Sequence, residues 1–273
     1  MDNTFSNIRG LIIDMDGVLW HGEQPQPGLA EFFQALRDLQ LPFVLATNNA
    51  SQTATQYVVK LEKFGVSVNQ NEILTSGMAT ATYLAERYPP EQSKVFVIGM
   101  AGARQPLQDR GFTLTDLIDH IDDQRADIVV SGLDKQLTWA KLTTAALNIQ
   151  SGAAFFGTNG DVTLPTELGF IPGNGATLAA LEAATGVEPI IIGKPEPILY
   201  QQAFALLGIA PEHIIAIGDR LETDILGAVR AGIRSVLVLS GISSLEDIEG
   251  VDYQPTWVMQ DIRELTSALK SLV

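Results

Sequence analysis

The chain has 273 residues, 46% of them hydrophobic, enough to bury a sizeable core in one large or two ordinary domains. It contains no cysteine, which excludes a disulfide framework, a zinc–thiolate site and a cysteine nucleophile, and fits a reducing cytoplasm. A formal net charge of -15 disfavours nucleic-acid polymers and anionic membranes as partners; an anionic substrate would need local positive charge from a metal, a lysine or helix amide ends.

Met1–Asn3 opens without a basic segment followed by an apolar one, and charge interrupts every apolar run before about 18 residues, so a soluble, untargeted protein is expected. The apolar run Gly10–Ile13 reads as a buried first strand. From Gly28 to Gln40, Leu29, Phe32, Phe33, Leu36 and Leu39 share a helical stripe, and Pro42–Ala46 follows as a second strand. Ser51 is placed to cap a helix running to Phe64, with Tyr57, Val58, Leu61 and Phe64 inward and Gly65 as its stop. Pro89-Pro90 is a loop. A second α/β series contains the strands Val95–Ile98, Asp127–Val130 and Ala153–Phe156 and a helix from Thr138 to Gln150. The first style resumes with Ile190–Ile192, a helix Pro197–Leu207, strands Ile214–Ile217 and Ser235–Leu239, and a last helix from Asp261 to Leu272. This alternation predicts βα units around mostly parallel sheet, with soft boundaries near residues 78 and 188. Trp139 with Leu142, and Ala176 with Leu178 and Leu181, read as helix-packing residues.

Four polar clusters fall at or beside the C-terminal ends of predicted strands, where open parallel sheets bind ligands. Asp14-Met15-Asp16-Gly17 follows the first strand, and Gly17 lets the chain turn so that both acids crowd one pocket. Two unit charges about 4 Å apart repel by roughly 4 kcal/mol at an effective dielectric near 20, so a metal ion or a proton must relieve the pair. Thr47-Asn48-Asn49 offers a hydroxyl, amide side chains and backbone N–H groups suited to phosphoryl oxygens. Gly193-Lys194-Pro195 presents a compact ammonium, and the segment Gly218–Asp224 adds Asp219 and Asp224. Magnesium prefers a few carboxylate oxygens plus substrate phosphate, a demand that Asp14, Asp219 and a backbone carbonyl fit. Each cluster alone reads more readily as a turn or a cap; the four together do not. His21, His120 and His213 are scattered without metal-ligand spacing.

Asp14-x-Asp16-Gly17-Val18-Leu19-Trp20, Thr47-Asn48-Asn49, Gly193-Lys194-Pro195 and Gly218-Asp219-Arg220-x-x-Thr223-Asp224 resemble, in order, the four motifs of the haloacid dehalogenase (HAD) superfamily phosphatases, specifically subclass IIA, the NagD-type or 4-nitrophenylphosphatase-like enzymes. The segment between the second and third motifs, including Phe155–Asp161 and Pro172–Gly175, resembles the large cap of that subclass. The resemblance implies an α/β fold: a HAD-like Rossmannoid core with a parallel sheet at 1–78 and 188–273, and an inserted α/β cap at 79–187 that sets specificity and closes over the site.

It implies a magnesium-dependent phosphatase of small phosphomonoesters working through an aspartyl-phosphate, with phosphomutase and non-catalytic phospho-ligand sensor as the alternatives. Asp14 would be the nucleophile, and Asp16 the general acid and base. Thr47, Asn48, Asn49 and Lys194 would hold the phosphoryl group, with Asn174 of the cap as a further substrate contact. Asp14, Asp16 through its backbone carbonyl, Asp219 and Asp224 would hold Mg2+. The expected partners are a small phosphorylated metabolite and a second copy bound through the cap, in the cytoplasm, with no nucleic acid and no membrane.

Overall fold

A computed structural model describes residues 5, 7–120, 125–166 and 169–271. Met1–Asn3 and Leu272, used above for the chain start and the last helix, lie outside the described residues. Among the described residues, no helix is long and apolar enough to cross a membrane.

The chain divides into two compact units, one comprising Met1–Thr47, Thr55–Leu74 and Lys194–Val273, the other Asn48–Ala54 and Thr75–Gly193. The first is built on a six-stranded sheet in the order Trp257–Met259, Arg234–Val238, Ile214–Gly218, Gly10–Ile13, Phe43–Thr47 and Ile73–Thr75. From Trp257–Met259 to Phe43–Thr47 every pairing is parallel, with Leu11 opposite both Ile215 and Phe43. All four residues of Gly10–Ile13 and all five of Phe43–Thr47 are buried. Burial on both faces explains why these strands are continuously apolar rather than alternating.

The helices of this unit follow their sequence signals. Leu29–Asp38 buries Leu29, Phe32, Phe33 and Leu36, as the stripe requires. Pro197–Leu207 starts on a proline and stops at Gly208, whose φ of 65 is the left-handed conformation of a helix terminator. The helix expected from Ser51 begins instead at Ala54. Asn49 Oδ1 accepts hydrogen bonds from the Ser51 backbone N–H at 2.9 Å and hydroxyl at 2.6 Å, which makes a local turn before the helix can form.

The second unit carries a five-stranded sheet, Ile190–Ile191, Ala154–Gly157, Ile128–Ser131, Lys94–Ile98 and Thr113–Leu114, parallel throughout. Phe96, Val129, Phe155, Ile149, Leu178 and Leu181 are buried together in its core, with Leu142 packed against them. Trp139 corrects the sequence reading: it is the first residue of the helix Trp139–Gln150 and is 82% exposed. A hairpin of Thr163–Thr166 and Gly169–Pro172 precedes the helix Asn174–Thr185.

The division between the units differs from residues 78 and 188. The helix Ser76–Ala85 packs against Ala101–Asp109, and the Ser76 hydroxyl donates to Asn48 O at 2.6 Å, which joins both Ser76 and the segment 48–54 to the second unit. At the far junction, Ile192 and Gly193 N–H groups bond to Gly157 O and Thr158 O, so that unit extends to Gly193.

One surface interaction gives a measurable pH signature. Arg37 makes two hydrogen bonds to Glu72, at 2.6 and 2.9 Å. Partial burial pushes the Glu72 carboxyl up, but Arg37 and the Asn69 amide outweigh it and hold the group below its usual range. A depressed folded-state pKa contributes stability that is present above the unfolded value, about 4.3, and is lost as pH falls through the folded value. Glu72→Gln should therefore lower stability at neutral pH by about 0.5–1 kcal/mol, with the difference from wild type shrinking in denaturant titrations as pH falls below the unfolded value of about 4.3.

Candidate active site

Parallel strands deliver their C-terminal ends to one edge of a sheet, and in the first unit these ends carry the acids. Asp14 follows Gly10–Ile13 directly, and its N–H donates to Ile217 O at 2.8 Å, which continues the ladder and fixes where the side chain emerges. Asp219 follows Ile214–Gly218 in the same way. Asp224 sits in a π-helical turn, Leu221–Ile225, where the Ile225 N–H reaches back to Arg220 O. Turns of this width are uncommon and recur at functional sites. Here the widening brings Asp224 back against Gly218, where a Cβ would lie 2.1 Å from the Asp224 Cβ.

Asp14, Asp219 and Asp224 are all buried, and each offers a carboxylate oxygen within 4.8 Å of the others. Lys194 is buried beside them. Its ammonium donates to Asp14 Oδ1, to Asp224 Oδ1 at 2.6 Å and to Ala46 O at 3.1 Å. Burial opposes the charge on Lys194, but Asp14 and Asp224 more than offset this and raise its pKa, so it is a fixed cation. Burial, reinforced by Asp224 and Asp219, pushes Asp14 well up against the opposing pull of Lys194. Burial and Asp224 likewise push Asp219 up to about 7, although the Ile242 amide and Arg220 oppose the shift. Three carboxylates and one ammonium leave a formal excess of two negative charges in a desolvated place. A divalent cation with a preference for oxygen would cancel that excess and hold the acids ionised, so the donor set fits such an ion.

Two glycines make room for this geometry. Gly17 has φ +88, and a Cβ there would lie 2.3 Å from Asp219 Oδ2; at Gly241 the same atom would be 1.9 Å away. The segment after the Arg234–Val238 strand closes around Asp219, with the Ile242 N–H donating to Oδ2 at 2.9 Å and the Ser243 N–H to the backbone carbonyl at 3.0 Å. The sequence reading passed over this segment. Ser240-Gly241 just beyond a strand's C-terminal end was the signal available for it. Tyr200, also unremarked, donates its hydroxyl to Asp224 O at 2.8 Å and anchors the π turn.

The other predicted residues fall as follows. Asp16 is exposed and its carboxylate is outside the metal-ligand group; Oδ1 accepts from Trp20 Nε1 at 2.8 Å. Thr47 is buried at the end of its strand. Asn48, Asn49 and Asn174 belong to the second unit, where their side chains serve its internal bonds. Asn48 Nδ2 points to Asp161 at 3.4 Å, and Asn49 makes the turn described above. Asn174 Nδ2 donates to Ser131 O at 3.0 Å and Asn159 O at 2.7 Å, while its Oδ1 accepts from the Ser131 hydroxyl. His21 donates through Nε2 to Ser240 O at 2.6 Å, and His213 bonds the Asn7 carbonyl through Nδ1.

Residues 11–113 match the family model for haloacid dehalogenase-like hydrolases, and residues 191–265 match a second model for HAD-like hydrolases. The acid sugar phosphatase of Staphylococcus epidermidis is 35% identical over 264 residues, 97% of this chain and 99% of that protein. Among solved structures, the 4-nitrophenylphosphatase of Thermotoga maritima superposes with a TM-score of 0.88, with 33% identity over 97% of this chain and 98% of its own. NagD from Escherichia coli K-12 gives 0.85, with 35% identity over 94% of this chain and 98% of its own. Taken with the trio of buried acids and its lysine, these likenesses show that the chain belongs to the haloacid dehalogenase-like hydrolases, in the NagD-type branch of subclass IIA, and is a hydrolase of phosphoric monoesters.

Proposed function

We propose that the protein is a magnesium-dependent phosphatase of small phosphorylated metabolites that works through an aspartyl-phosphate on Asp14. The observation that carries this reading is the buried Lys194 bonded to both Asp14 and Asp224, with Asp219 beside them. Asp14, Asp219 and Asp224, with the Asp16 backbone carbonyl, are the groups that would hold Mg2+, which when bound screens phosphate charge and orients its oxygens.

An Asp14 carboxylate oxygen attacks phosphorus, and the bond to the ester oxygen breaks as Asp16 gives that oxygen its proton. Asp16, now a carboxylate, takes a proton from water. The resulting nucleophile attacks phosphorus, the bond to Asp14 breaks, and inorganic phosphate leaves with both acids restored. Lys194 steers the Asp14 carboxylate and, with the Thr47 hydroxyl, supplies donors where charge accumulates in the transition state. Asp16 suits the proton-transfer role because its carboxylate stands outside the group of buried acids and is exposed, where it can exchange protons with water and a leaving group. The net charge of -15 and the absence of cysteine support a small substrate and a cytoplasmic setting.

Purified protein with Mg2+ should release inorganic phosphate from 4-nitrophenyl phosphate and from members of a phosphorylated-metabolite panel, and a chelator should stop it. Release from none of them would sink the proposal, whereas transfer to a second hydroxyl without free phosphate would indicate a mutase. Asp14→Asn should lower turnover by about a thousandfold or more while preserving the unfolding midpoint, since the amide keeps the shape of the side chain. A variant that turns over normally would remove Asp14 from its role. Lys194→Ala should cost about 3–5 kcal/mol of stability, because it leaves buried carboxylates uncompensated. Added Mg2+ should then raise the variant's thermal midpoint more than the wild type's; equal responses would count against a shared cation site.

A further inference from the structure

Trp20 is fully buried, yet its indole N–H donates at 2.8 Å to the exposed carboxylate of Asp16. A buried indole needs an acceptor, and a backbone carbonyl would satisfy it. Here the acceptor is the second acid of the first motif. The turn between them is closed by Gly17 N–H to Trp20 O and Leu19 N–H to Met15 O, both at 2.8 Å, so Asp16 and Trp20 stand at the two ends of a short fixed span.

The ring is held on several sides. Tyr57 stacks on it at 6.2 Å between centroids, and Phe64 tilts against it at 6.0 Å. The Lys60 ammonium lies 4.6 Å above the ring while donating to Gly22 O at 2.6 Å, which ties that cation to the hairpin of Trp20–His21 and Gln24–Pro25. An exposed aspartate would otherwise exchange among rotamers in water. Bonded to a buried, packed side chain, Oδ1 is held on the turn while Asp16 as a whole remains exposed.

We infer that Trp20 is a positioning residue for proton transfer: its indole N–H holds one oxygen of Asp16 so that the other is aimed at the ester oxygen that leaves. This rests on the phosphatase reading above. Trp20 touches neither phosphate nor leaving group in this account, and it acts through Asp16. Misaligning a proton donor should harm substrates in proportion to their need for the proton. An alkyl phosphate expels a strongly basic alkoxide and needs it, whereas 4-nitrophenyl phosphate expels a stable phenolate and barely does.

The test compares kcat/KM for glycerol phosphate and 4-nitrophenyl phosphate in wild type and Trp20→Phe, since kcat/KM reports the steps through leaving-group departure. Trp20→Phe should lower kcat/KM on the alkyl ester by about tenfold or more while the aryl ester changes by less than about threefold. Equal losses on both esters, or none on either, would overturn the inference. If Trp20→Phe does not fold, 3-benzothienylalanine at position 20 replaces the N–H by sulfur while keeping the fused ring, and the same selective loss is expected. Wild type that hydrolyses neither of these esters nor any member of the metabolite panel defeats the phosphatase reading itself, an outcome separate from loss of selectivity in a variant of an active enzyme.

Discussion

Everything at the acidic end of the first unit is organised around one buried ammonium. Lys194 reaches Asp14, Asp224 and the Ala46 carbonyl, so the ends of two strands and the π turn are tied by a single side chain. Burying a charge is costly unless it is paired and hydrogen-bonded, and here every proton of the ammonium has an acceptor. The lysine satisfies only part of the negative charge around it. What remains is a desolvated excess of negative charge that a divalent cation with a preference for oxygen would cancel.

The second constraint is space. Asp219 is packed so closely by Gly17 and Gly241 that any side chain at either position would enter the volume of its carboxylate. The aspartate is thus oriented by backbone on two sides and by the Ile242 amide on a third. Such support fixes the direction of the Asp219 carboxylate, the kind of preorganisation that a metal ligand needs.

Much of the first unit was legible in the residues, because its strands are continuous apolar runs ended by acids and its helices carry their own stops. The Pro197–Leu207 helix was bounded correctly by a proline at one end and Gly208 at the other. Other features left no local mark. The Ser76–Ala85 helix buries Ser76, Gly77, Ala79, Thr80, Ala81 and Leu84, small and polar residues among them, so it shows no amphipathic stripe. Trp139 has the right spacing from Leu142 to share its face, but at the first turn of a helix the chain can leave such a ring in solvent. Asp224 could be listed as an acid near the site, yet its inward position depends on a π turn that no residue in it announces. Asn49 and Asn174 make hydrogen bonds within their own unit, and those partners could not be read from the motifs that singled these residues out. Trp20 was visible as part of a motif; only the geometry gave it a partner.

The order of the strands has a bearing on how the molecule is made. Gly10–Ile13 lies between Phe43–Thr47 and Ile214–Gly218, so one side of the first strand to leave the ribosome waits for a segment some two hundred residues later. At about 5–20 residues per second, that wait lasts roughly ten to forty seconds. Thr75–Gly193 emerges whole during the interval and contains its own parallel sheet. Synthesis therefore delivers the inserted unit complete while the enclosing one still has an open seam, and the lysine that pairs with Asp14 comes only after the insertion has passed.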